Sequence, residues 1–250
     1  MSFSSTIYGP LADRLDESST QRQPLGTRLI LPDGRVFRYC KNGGVALSIG
    51  RLVQEAVVTT GHDKDLAVAA AAAVGATAVT ITNATTAIVA NDYKEGYIFF
   101  NTAAGVGQIC TIKSHPAEAT GTGSCVITLE DEDALKVALT TASKAGLRKN
   151  IFDDVVVAPT TATGVPIGVC PNAVTINYFF WLQTWGPAAV LTNGTVLRGK
   201  TVIPGATTDG SVDVYPLNSV DASGQQPVVG TVMTVGATGE HSLVFLTLAP

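Results

Sequence analysis

The stretch LPDGRVFRYCKNGG, residues 31–44, sets two turn signals around a short alternating run, and the rest of the chain is read outward from it. Pro32 presets φ and Gly34 supplies a positive φ, so PDG predicts a tight turn. RVFRYC then predicts a strand, with Arg35, Phe37 and Tyr39 on one face and Val36, Arg38 and Cys40 on the other. Neither face is cleanly apolar, which is the pattern of an edge strand or an extended arm rather than a core strand. KNGG closes the segment with an Asn-Gly turn. A phosphate site would want the arginines on one face. Alternation sends Arg35 and Arg38 to opposite faces, so a β-hairpin arm is favoured over an anion site.

Upstream, residues 1–25 are polar, and their few apolar positions follow neither period 2 nor 3.6. This predicts an arm without a core of its own, either disordered or laid on a neighbouring subunit. Downstream, strand patterns recur. TAVTIT (77–82) alternates with Val79 and Ile81 inward, and EGYIFFNT, GQICTIKS and GSCVITLE are further strands bounded by turn residues. The alanine run 69–73 is open between helix and strand. EDEDALKVALTTASKAG (130–146) is the best helix pattern, with acids at its start and Lys144 and Gly146 near its end. APTTATGVPIG (158–168) reads as a linker. Six further strand patterns follow, beginning with NYFFWLQTW (177–185) and ending with HSLVFLTL (241–248).

The expected fold is therefore all-β, with one or two short helices: an extended N-terminal arm plus two small β-barrel or sandwich modules. The expected division is 1–60 for the arm and hairpin, 61–157 for the first module and 158–250 for the second.

The 250 residues are 46% apolar and only 14% charged, which suggests surface covered by other subunits. A net charge of −4 argues against a dedicated nucleic-acid binder. The longest apolar run, LAVAAAAAVGATAV, is too short and too rich in alanine to span a membrane. The start of the sequence lacks the pattern of a secretory signal. Cys40, Cys110, Cys125 and Cys170 have no CxxC spacing, so they read as buried reduced thiols.

No motif carries chemistry. GVGQIC (105–110) runs into a strand pattern, so its glycines mark a hairpin rather than a dinucleotide loop. GHDKD (61–65) reads as a solvated loop rather than a metal site, and EDED lacks calcium-loop spacing. With three histidines and no serine motif, no triad is indicated. The expectation is no catalytic residue, no metal and no cofactor. Aromatic Phe179, Trp181 and Trp185 would share one strand face, as core or interface. With Arg35, Phe37, Arg38 and Tyr39 they form the candidate interface.

Four segments carry a resemblance. LGTRLILPDGRVFRYCKNGG, DYKEGYIFFNTAAGVGQICTIKSH and YFFWLQTWGPAAVL resemble tailed-phage virion proteins encoded beside the major capsid protein. PVVGTVMTVGATGEHSLVFLTL resembles the closing strands of capsid decoration proteins. The resemblance implies a decoration, or cement, protein on the outer capsid surface. Its partners would be the major capsid protein and itself, as a homotrimer, with no nucleic acid and no membrane. A tail or head-fibre part with a receptor-facing module and a virion-associated hydrolase are the alternatives. The shell protein itself would need a long spine helix, for which no segment has the pattern.

Overall fold

The computed structural model describes residues 5–83, 86–119, 123–215 and 226–250. The protein is all-β, as expected; among the described residues the helical elements are two three-residue 3-10 turns, Asp13–Leu15 and Asp131–Asp133. None is long and apolar enough to cross a membrane.

The division into units differs from the expected one. The chain up to Val57 and the chain from Ile151 onward form one unit, and Val58–Asn150 forms the other. The N-terminal segment is thus no separate arm. Its strands are β1 (Thr6–Tyr8), β2 (Glu17–Ser18), β3 (Arg28–Ile30), β4 (Val36–Lys41) and β5 (Leu52–Gln54). The inserted unit holds β6 (Leu66–Val68), β7 (Ala78–Thr82), β8 (Tyr97–Thr102), β9 (Ile109–Ser114), β10 (Ser124–Leu129) and β11 (Lys144–Arg148). The chain then adds β12 (Val156–Val157), β13 (Pro166–Val169), β14 (Phe179–Leu191), β15 (Thr201–Pro204), β16 (Val212–Val214), β17 (Gly230–Val232) and β18 (His241–Thr247) to the first unit. The expected linker 158–168 thus runs into β13, and the Pro216–Leu217 end of one expected strand lies outside the described residues.

The inserted unit is a closed antiparallel barrel in the order β10-β7-β6-β11-β8-β9. Inward residues such as Val79, Ile81, Ile98, Phe100, Ile112 and Ile127 fill it, as in any small barrel whose interior is just wide enough for side chains. The two glycines of GVGQIC lie in the β8–β9 turn with φ near +81° and +84°, which confirms the hairpin. The expected helix over 130–146 is absent. Leu135 and Leu139 are buried in the barrel, but the chain between them bends at Lys136 and Val137 without forming a helix: Leu139 bridges Ala72, and the Leu135 N–H donates to the Ala76 carbonyl. The Gln108 side chain takes the N–H groups of Lys136 and Val137 at 2.8 Å, donors that a helix would need. Tertiary pairing overrides local propensity here.

The first unit is a twisted sheet in the order β1-β3-β4-β14-β18-β17-β15-β16, with β5, β12, β13 and β2 attached beside it. The PDG turn is a real hairpin: the Gly34 N–H donates to the Leu31 carbonyl at 3.0 Å, and β3 pairs antiparallel with β4. However, β4 is a central strand rather than an edge, because β14 covers its other side. KNGG makes no hairpin turn. Asn42 is fully buried and its side-chain amide donates to the carbonyls of Val45 and Thr175 at 3.0 Å.

Candidate interaction site

The predicted interface residues converge on the β4–β14 pair. Trp181 lies across from Tyr39, Gln183 across from Phe37, and Phe179 across from Lys41. The Tyr39 ring meets Trp181 edge-on at 5.0 Å and stacks on Phe179 at 5.9 Å. Phe37, Tyr39 and Trp181 are buried with Leu29 and Leu31, and Ile7 and Phe179 close the cluster from outside. These aromatics are mainly core, with Phe179 at the margin.

Trp185 departs from the expected shared face. The register shifts between Gln183 and Trp185, so one extra residue, Thr184, bulges out of the pairing. Trp185 therefore lies across from Val36, whose side chain points away from the face of Phe37, and its ring packs edge-on against Phe245 at 5.5 Å.

Arg35 and Arg38 separate as alternation requires. Arg35 stays in the turn, paired with Asp33 at 2.8 Å, with its guanidinium 5.9 Å from the Phe37 ring. Burial alone would raise the Asp33 carboxyl, but the Arg35 amide and guanidinium outweigh it and hold it below its ordinary range. Arg38 donates to the carbonyls of Gly26 at 3.2 Å and Pro250 at 3.1 Å. Its strand neighbour is Arg28, directly opposite. Burial, and then the Arg28 charge, lower the Arg38 pKa.

The exposed side of the aromatic cluster is a cavity of about 180 Å³. Tyr39, Phe179 and Trp181 line it together with Asp13, Asp16 and Glu17. The three acids come from the segment expected to be a detached arm. β2 brings them there by pairing with Phe179 and Phe180, and β1 anchors the segment parallel to β3. Asp13 opens the 3-10 turn and Asp16 is its C-cap, three residues on. Glu17 is oriented by the Thr175 N–H at 3.2 Å and hydroxyl at 3.3 Å. The Tyr39 hydroxyl accepts the Arg22 N–H at 3.0 Å, and burial raises its pKa. The spacing of three between Asp13 and Asp16 is the one sequence signal that could have found this rim.

Other candidate groups are engaged internally. His62 is buried rather than solvated. Its ring nitrogens lie 2.6 Å from the Tyr93 hydroxyl and 2.9 Å from the Thr86 carbonyl. His115, distant in sequence, reaches the same tyrosine: its Nε2 accepts the Tyr93 N–H at 3.0 Å and its Nδ1 donates to the Pro116 carbonyl at 3.0 Å. All four cysteines are buried free thiols, as expected. Burial pushes Cys40 well above its ordinary pKa and Cys170 up to about 12, which keeps both unreactive. Among the described residues no His, Cys, Asp and Glu side chains group as a metal site.

The barrel unit has a second surface feature. The Ala72–Leu139 bridge and the Gly75 N–H bond to the Leu135 carbonyl pair the segments that carry Val74 and Val137, and the Gln108 side chain ties Val137 to the β8–β9 turn between Val106 and Ile109. Val74, Val106, Ile109 and Val137 are each at least half exposed. Most of the neighbouring alanines, Ala69, Ala70, Ala71 and Ala73, are exposed too.

The chain matches no model of a known protein family, no characterised protein and no solved structure.

Proposed function

We propose that the chain is a structural virion protein: a decoration, or cement, protein that binds the outer surface of a tailed-phage head. In this reading it assembles as a homotrimer on the major capsid protein and stabilises contacts between capsomers. The observation that carries the reading is the apolar surface of the barrel unit formed around Val74, Val106, Ile109 and Val137. These are exposed apolar side chains of one unit, and exposed apolar area favours coverage by another protein. Covering them gains about 25 cal/mol per Å² of apolar area removed from water. The major capsid protein is the partner that the resemblance of four segments to phage virion proteins implies.

The mechanism is avidity. Each copy contributes a modest contact, and linkage within an oligomer raises the effective concentration of the remaining contacts. The test is the copy number of this chain relative to the major shell protein in purified particles. A ratio near one to one supports decoration. A handful of copies moves the chain to the tail or a fibre, and absence from particles ends the virion reading.

A further inference from the structure

We propose that the cavity between the N-terminal turn and β14 receives a basic side chain, lysine or arginine, presented by a partner protein. Three aromatic rings and three carboxylates converge there: Tyr39, Phe179 and Trp181 form the wall, and Asp13, Asp16 and Glu17 the rim. Among the described residues that line it, Arg22 is the one cationic residue, so negative charge prevails there. The Arg22 backbone N–H is engaged by the Tyr39 hydroxyl.

Each part of the site suits a cation on an apolar stem. Aromatic faces carry negative potential and attract ammonium or guanidinium groups. Lysine and arginine bury their methylene stems along apolar walls while the charged head reaches a polar rim. Here the buried rings lie innermost, while Asp16 and Glu17 are exposed to solvent. The volume, about 180 Å³, is below the roughly 300–1,000 Å³ of pockets for drug-sized ligands, so it matches one side chain. The site is also preorganised. Tyr39 is fixed by its two ring contacts, and Glu17 by Thr175. Preorganisation reduces the ordering cost of binding. A neutral sugar could use the rings but gains little from surplus negative charge, and an anion would be repelled.

The inference goes beyond the virion reading and does not depend on it. The experiment uses the full chain carrying Trp185→Phe, which leaves Trp181 as the only indole. The Trp181 indole N–H resonance is followed during titration with Nα-acetyl-lysine methylamide, its arginine and neutral norleucine analogues, and methyl glucoside. The two cationic probes should shift it saturably, with the norleucine analogue about tenfold weaker. Asp16→Asn, an exposed position, should weaken the lysine probe about three- to fivefold. The proposal is overturned by equal binding of norleucine, by preferred binding of the glucoside, or by unchanged affinity in Asp16→Asn. It is also overturned if neither cationic probe gives a saturable shift by about 50 mM. Absence of the protein from virions would leave this titration unaffected, so the two readings fail separately.

Discussion

Tyr39 and Trp181 face each other across β4 and β14, with ring centroids 5.0 Å apart and planes inclined at 61°. This pair joins segments more than a hundred residues apart. Trp181→Ala should lower stability by about 3–5 kcal/mol, as other buried aromatic truncations do. A double-mutant cycle with Tyr39→Leu should return a coupling of about 0.5–1.5 kcal/mol, read from urea unfolding. Additive single effects would mean that the rings fill space without interacting specifically.

Acid should destabilise the barrel unit through His115. Its two ring nitrogens are committed to one acceptor role and one donor role, so only the neutral ring fits. Burial lowers its pKa from the ordinary 6.5, ahead of the opposing effect of the Pro116 carbonyl. The unfolded chain therefore takes up this proton first. The contribution to stability is complete above about pH 6.5 and is lost as pH falls through the lower folded value. The urea midpoint should drop between pH 7 and pH 5, and less so in His115→Gln. An equal drop in both proteins would assign the acid sensitivity elsewhere.

Removing a like charge should help the first unit. Arg28 and Arg38 are directly opposed on β3 and β4. Arg28→Thr should raise stability by about 0.2–1 kcal/mol, since opposed like charges destabilise a sheet and threonine suits a strand. The gain should shrink in high salt. A loss of stability in low salt would show that the Arg28 stem packs more usefully than its charge repels.

Deleting residues 1–25 should destabilise the first unit rather than leave it intact. The deletion removes β1 from β3 and β2 from β14, and uncovers Leu29, Tyr39 and Trp181 beneath Ile7. Calorimetry should show one transition shifted down by several degrees or more, at about 2–4 °C per kcal/mol for a unit of about 150 residues. An unshifted transition would restore the picture of a detachable arm.

Local alternation made the barrel strands legible. Val79 and Ile81 point inward as the TAVTIT pattern requires, and Gly34, Gly105 and Gly107 mark real turns. What remained hidden is non-local. β4 looked like an edge because Arg38 interrupts it, yet Arg38 donates to the carbonyls of Gly26 and Pro250 and the strand runs through the middle of the sheet. Thr184 gave no sign that it would bulge and turn Trp185 to the other face. The acids of the candidate cavity were invisible as a site because they meet the aromatics only through β2, a two-residue strand paired with β14. The 130–146 segment has helical propensity that loses to pairing with Ala72 and Ala76.

Gln54 and Val156 are register partners, and Val53 faces Val157, so the chain leaves the first unit and re-enters it through one antiparallel pair. To the host sheet everything between them is topologically a hairpin loop. Closure entropy grows only logarithmically with loop length, about 0.6 kcal/mol per doubling, so the host is nearly indifferent to the size of what is spliced in. The barrel is in this sense a graft on a fixed rootstock. A lineage could exchange it for another module, or shed it for a tight turn, without re-registering a strand of the host. What inheritance must conserve for such exchange is the β5–β12 socket, not the barrel it carries.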